Sequence, residues 1–161
     1  MHINHCVHLL LHSSFCFCNN SSNARLTMNY PIHYGLEKAG LPLILTTESP
    51  KNLCFLIDTG STRGVIFDFV YQHFKDCFEE TTETQSIMEI DGSLKPTVIV
   101  NATLQFDDLS YNAPFAVLEA NDAINQLQAE TGIQIHGILG IPFLIGNKWI
   151  LDFNKLKIKS A

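Results

Sequence analysis

The sequence predicts a mainly β domain, a closed or partly open barrel with two short helices. Three observations predict it. Short apolar runs recur from Leu41 onward and are punctuated by turn residues. Only two stretches, after Asp68 and after Asp122, carry a helical apolar spacing. The pair Asp91-Gly92 separates two alternating runs, which is a strong hairpin signal. A chain of 161 residues is one domain's worth, with room for a hydrophobic core.

The elements follow in order. Leu41–Thr47 reads as a strand, Ser49-Pro50-Lys51-Asn52 as a turn, and Leu53–Ile57 as the returning arm of a hairpin. Val65-Ile66-Phe67 is a further short strand. Asp68 reads as an N-cap, and Phe69, Val70, Phe74 and Cys77 as the apolar face of a helix running to Phe78. Ser86–Ile90 and Lys95–Val100 flank Asp91-Gly92. Ala102–Phe106 and Tyr111–Val117 are two more strands, joined at Asp107-Asp108. Asp122–Thr131 is the main helix, stopped by Gly132. Gln134–Leu139 reads as an inner strand and Ile141–Ile145 as a short helix or turn. Lys148–Phe153 and Leu156–Lys159 form a closing hairpin.

Residues 1–27 differ from the rest. They hold His2, His5, His8 and His12, the cysteines Cys6, Cys16 and Cys18, and the polar run Asn19-Asn20-Ser21-Ser22-Asn23. The apolar piece Val7–Leu11 is short, is broken by histidine and has no basic flank, so it does not read as a secretory signal. This segment is expected to be disordered, or a mis-assigned extension ahead of Met28, with the folded domain spanning 28–161. His5, His8 and His12 with Cys6 could share a helical face and mimic a metal cluster. Nothing nearby promises a stable helix or supporting partners, so no metal and no cofactor is assigned.

Composition narrows the function. Apolar content of 46% with 16% charged residues suits a compact globular protein. A formal charge of −6 argues against sequence-independent nucleic-acid binding, which needs clustered cations against phosphate. No apolar run reaches bilayer-spanning length. Five irregularly spaced cysteines are not a disulfide framework. Reduced thiols in a cytoplasmic setting are the expectation, with Cys54 a small buried hydrophobe.

The chemistry lies in Asp58-Thr59-Gly60-Ser61, directly after the apolar run Leu53–Ile57. A buried strand fixes a carboxylate and a loop exposes it. The glycine is expected to permit a backbone shape that a side chain would forbid. The triplet alone is also compatible with a strand-ending Asx turn, in which Asp58 bonds nearby backbone. Two later segments decide between these readings: Gly137-Ile138-Leu139-Gly140, followed by Ile141-Pro142-Phe143-Leu144, and Trp149-Ile150-Leu151-Asp152-Phe153. In this order, over residues 40–158, the chain resembles the retropepsin-like aspartic proteases, the single-lobe family that includes the retroviral enzymes and bacterial relatives.

The resemblance implies the retropepsin-like acid protease fold, an aspartic endopeptidase activity and a homodimer acting on a peptide or protein substrate. It makes Asp58 the general acid/base. Thr59 would reach across a dimer axis to the partner's backbone, Gly60 would shape the turn, and Ser61 would bond near the outer carboxylate oxygen. Gly137, Ile138, Leu139 and Gly140 would pack beneath the Asp58 loop. Ile90, Asp91, Gly92 and Ser93 would form the tip of a flap, although they lack the glycine-rich tip of the retroviral enzymes. The chain has a single D-T-G, and Asp152 lacks the Thr-Gly turn, so a second catalytic carboxyl must come from Asp58 of another copy. Arg63 could lower the Asp58 pKa if it reached the carboxylate, and His136 is read as structural. The alternative is a catalytically inactive module of the same fold, used for peptide binding or oligomerisation.

Overall fold

Two sheets, not one barrel, organise the chain. The computed structural model describes residues 27–48, 50–88 and 94–160. Among these, the strands are β1 (Asn29–Pro31), β2 (Leu43–Leu45), β3 (Cys54–Ile57), β4 (Gly64–Phe67), β5 (Phe78–Met88), β6 (Leu94–Phe106), β7 (Leu109–Leu118), β8 (Gly137–Leu139), β9 (Trp149–Asp152) and β10 (Lys157–Ser160). The helices are α1 (His33–Ala39), α2 (Asp68–His73), α3 (Asp122–Thr131) and α4 (Ile141–Gly146), with a 3-10 turn at Lys75–Cys77. The larger sheet runs β2-β3-β8-β4-β7-β6-β5 and the smaller β1-β10-β9. Of the closed or partly open barrel that the sequence suggests, no closed form is present among the described residues. A mainly β architecture holds, with four helices where two were expected.

The large sheet is covered on both faces. On one face, Phe55, Ile57, Val100, Leu104, Phe106 and Phe115 form the main core with Val70, Leu144 and Ile158. Trp149 sits at its centre, edge-on to Phe143 at 5.0 Å, Tyr111 at 5.3 Å and Phe106 at 5.4 Å. Such edge-to-face rings favour one packing arrangement over others. The small sheet and α4 reach the large sheet through this cluster. On the opposite face, Leu43, Cys54, Val65, Phe67 and Ile135 form a second core, closed by Ala39, Ile124 and Leu127 from α1 and α3. Covering both faces explains why β3 and β4 read as continuous apolar runs rather than alternating ones.

Local chemistry sets the element ends. In β6, Val100, Ala102, Leu104 and Phe106 all face the main core, so the two strands expected over 95–106 are one. Pro114 of β7 lies opposite Asn101 of β6, just before the stretch Phe115–Leu118 that pairs with β4, at the limit of the region flanked by strands on both sides. α3 ends where Gly132 turns left-handed at φ 73° and donates its N–H to Gln128 O. It begins at Asn121, whose Oδ1 accepts the Ile124 N–H at 3.0 Å. Asn121→Ala should cost about 1 kcal/mol, a fall of roughly 2–4 °C in Tm, checked by thermal unfolding. Asp68 lies one residue inside α2, not at its cap, and its carboxylate accepts from Gln72 Nε2.

Residues 1–26, with the expected N-terminal segment and its histidines, lie outside the described residues. Described structure begins at Thr27. Met28 is 2% exposed and exchanges backbone and hydroxyl hydrogen bonds with Ser160. No helix among the described residues is long and apolar enough to cross a membrane.

Candidate active site

β3 lies between β2, which is antiparallel to it, and β8, which is parallel. β8 in turn is antiparallel to β4. The short strand Gly137–Leu139 is thus inserted between two strands that follow each other in sequence. The segment from Asp58 to Arg63 must cross over the end of β8 to reach β4. Asp58 is the first residue beyond β3, and its N–H donates to Leu139 O at 3.1 Å. The ladder that holds Ile57 opposite Leu139 therefore also holds the Asp58 backbone.

The turn is closed by its own bonds. Ser61 N–H donates to Asp58 O at 3.2 Å, and Ile141 N–H donates to Ser61 O at 2.9 Å. Gly60 N–H donates to Asp58 Oδ1 at 2.8 Å. This is an Asx turn, the structural reading of the triplet. One carboxylate oxygen orients the side chain. The half-buried Asp58 stands beside the exposed Thr59 and Gly60.

Two expectations about the turn need correction. Gly60 does not adopt a left-handed φ; only Gly40 and Gly132 do so among the described glycines. Its value is room, since a Cβ there would lie 3.2 Å from Asp58 Oδ1. Ser61 does not bond the outer carboxylate oxygen. Its Oγ donates to Arg63 O at 2.8 Å, which braces the exit of the turn instead.

The Gly137–Gly140 segment lies directly under this turn. A Cβ at Gly140 would lie 2.8 Å from Ser61 O and still closer to Arg63 O. A Cβ at Gly137 would meet Phe55 Cε1 at 2.6 Å and the Val65 carbonyl. Any side chain at either position would push the turn or the neighbouring strands away. Between them, Leu139 is fully buried and Ile138 packs toward the second core. Ile141 closes the turn through its backbone, a role with no signal in the sequence beyond its place after Gly140.

His136 stands at the other end of the same junction. Its N–H donates to Cys54 O at 2.7 Å, and its carbonyl accepts from Phe67 N–H at 3.0 Å. Its ring nitrogen Nδ1 accepts the Cys54 N–H at 2.9 Å. It thereby ties β3 to β4 ahead of β8, a structural role. Burial pushes its pKa below the ordinary imidazole value, and only the neutral ring can accept that N–H. The unfolded chain then binds a proton before the folded chain does. Stability from this group is complete above the unfolded imidazole pKa, and is lost as the pH falls from there through the depressed folded value. Melting curves between pH 8 and pH 5 should show this decline, and His136→Ala should flatten it. Burial likewise pushes the Cys54 thiol up to about 11, leaving it protonated and inert.

The remaining candidates are placed as follows. Asp152 is held by Lys159 Nζ at 2.5 Å and by the Lys155 N–H at 2.9 Å, with its pKa lowered by the Lys159 bond first. It is a hairpin residue. Arg63 contributes its backbone carbonyl to the turn. The segment Ile90, Asp91, Gly92 and Ser93 lies outside the described residues, but its flanks pair as far as Met88 opposite Leu94. Among the described residues, no group of three or more His, Cys, Asp or Glu side chains could hold a metal ion. A cavity of about 250 Å³ opens between α1, β2 and the start of β3, lined by Tyr30, Tyr34, Leu43, Cys54 and His136 among others. Asp58 does not line it.

No protein-family model and no curated protein matches the chain. Among solved structures, it is similar to a retropepsin-like aspartic protease from Rickettsia conorii, at 12% identity over 83% of this chain and 90% of that one, with a TM-score of 0.49. It is also similar to the retroviral protease-like domain of Ddi1 from Leishmania major, at 8% identity over 73% of this chain and 87% of that one, with a TM-score of 0.43.

Proposed function

We propose that the chain is an aspartic endopeptidase whose Asp58 joins Asp58 of a second copy in a catalytic dyad. The observation that carries the reading is the turn itself: a half-buried carboxylate at the end of a buried strand, oriented by Gly60 N–H and braced from below by Leu139 and Gly140. Preorganised carboxyls of this kind suit general acid–base work, because little reorganisation is needed at the moment of reaction.

In the proposed reaction, one Asp58 of the pair is a carboxylate and the other a neutral acid. Like charges that close do not both ionise. The carboxylate takes a proton from water while the water oxygen attacks the scissile carbonyl carbon. The neutral acid donates its proton to the carbonyl oxygen. The tetrahedral intermediate then collapses: the Asp58 that took the water proton gives it to the nitrogen, the other Asp58, now a carboxylate, takes a proton from a hydroxyl of the intermediate, and the C–N bond breaks to release an amine and a carboxylic acid. Thr59, exposed beside Asp58, is assigned to bracing the partner's turn, and the β5–β6 hairpin to covering the substrate. The test is incubation of the full chain with a mixed peptide library across acidic and neutral pH, beside Asp58→Asn. Asp58-dependent cleavage is the expected result. A folded, dimeric protein that cleaves nothing at any pH would favour the inactive peptide-binding or oligomerisation module instead.

A further inference from the structure

We infer that the cavity between α1, β2 and the start of β3 is a binding site for a small neutral aromatic molecule, a single ring that carries a hydrogen-bond acceptor such as a carbonyl. The site stands apart from the dyad reading, because Asp58 lines no part of it.

The cavity is built by paired strands and a packed helix. Leu43 and Leu45 of β2 and Cys54 of β3 turn to the same face of the large sheet and form one wall. α1 lies close over that wall, since Gly35 leaves no room for a Cβ between it and Leu43. Tyr30 closes one side, its hydroxyl accepting the Leu45 N–H at 3.3 Å. His136 closes another, bonded to both the N–H and the carbonyl of Cys54. The volume is about 250 Å³, just below the ~300 Å³ at which sites for drug-sized ligands begin. It suits one substituted ring and is too small for a nucleotide.

The lining sets the ligand class. It is mostly apolar and aromatic, and among the described residues no Lys, Arg, Asp or Glu side chain contributes to it. An ion would lose hydration there and gain no countercharge, so the occupant is neutral. Tyr34 is 59% exposed and Leu45 40%, so they form the mouth. An exposed ring and an exposed leucine beside a recess offer a planar apolar molecule a surface to cover.

Two donors select the polar group. His136 Nδ1 is spent on accepting the Cys54 N–H, which fixes the proton of the neutral ring on Nε2. The Tyr30 oxygen already accepts from Leu45, and its own proton has no acceptor among the described residues. Burial raises the Tyr30 pKa, which keeps that proton in place. These two side chains thus offer protons to the cavity rather than lone pairs, and a carbonyl oxygen on the ring answers them. The amides of Asn52 and Gln134, exposed at the rim, can meet either kind of group.

The test is titration of the isotope-labelled full chain with benzamide, a neutral ring with a carbonyl, followed through the backbone amide NMR shifts of Leu45, Cys54 and His136. Saturable shifts centred on these residues are expected, with a Kd on the order of 1 mM for so small a probe. Benzoate, of the same size but charged, should bind at least roughly 10-fold more weakly. Tyr30→Phe removes only the hydroxyl and should weaken benzamide about 3–10-fold. Tyr34→Ala removes the ring at the mouth and should weaken it to a similar degree. Because Tyr34 is exposed, this second variant keeps its fold even if Tyr30→Phe does not. The inference is overturned if benzamide gives no saturable shift at these amides, binds no better than benzoate, or binds Tyr34→Ala as tightly as the wild type. It is also overturned if N-acetyltyrosinamide binds there roughly 10-fold more tightly than benzamide, which would make the cavity an anchor for a peptide side chain. Each of these results leaves the dyad reading standing, since that reading is tested by cleavage.

Discussion

Asp58→Asn should leave a folded protein that does not cleave peptides. The amide is nearly isosteric with the carboxylate, and its oxygen can still accept the Gly60 N–H that now meets Asp58 Oδ1. The turn should therefore keep its bonds to Leu139 and Ile141. What is lost is a group that can take and give a proton, and turnover should fall by about 10²–10⁴-fold. The dyad adds a second expectation. Equal amounts of wild-type and Asp58→Asn chains, allowed to exchange, should retain roughly a quarter of the wild-type activity rather than roughly half, because only one pairing in four holds two carboxyls. Activity per chain should rise with concentration until dimers dominate. Wild-type rates from Asp58→Asn, or full activity in a strictly monomeric sample, would rule the mechanism out.

Gly140→Ala should be the most damaging single-methyl change in the site. The added Cβ would strike the Ser61 and Arg63 carbonyls, which are backbone atoms and cannot rotate away. Either β8 retreats from the Asp58 turn or the turn itself moves. The cost should be about 1–3 kcal/mol, a Tm fall of roughly 2–12 °C for a chain of this size. Protection of the Asp58 and Ile141 amides against hydrogen exchange should fall with it, since both are bonded across this contact. Gly146→Ala is the matched control. A Cβ there meets nothing within 4 Å, and its φ is not left-handed. That variant should be neutral or slightly more stable. Equal behaviour of the two variants would show that the close approach at Gly140 carries no structural weight.

Elements that bury a regular pattern were legible in the sequence. β3, β4 and β7 announce themselves as apolar or alternating runs because the core reads them directly. α3 was legible from its spacing and from Gly132. β5 was hidden because it is an edge strand. After Phe78 it presents Glu79, Glu80 and Thr82 to solvent, so burial imposes no period there. β1 and α1 were hidden for a different reason. They are three and seven residues long, and α1 contains Gly35, so propensity alone does not predict them. In the fold, Gly35 lets α1 pack tightly on Leu43, where a Cβ would lie 2.8 Å from the Leu43 Cβ.

For the candidate site, the chain by itself determined which residues are candidates for the proposed chemistry. The D-T-G-S turn after an apolar strand and the later Gly-Ile-Leu-Gly are local motifs, written in consecutive residues. Tertiary structure alone decided their relation. It inserts β8 between β3 and β4, and contacts between residues some eighty positions apart leave no local trace in sequence. It also decided that Ser61 braces Arg63 rather than the carboxylate, and that Gly60 serves by its size rather than its φ.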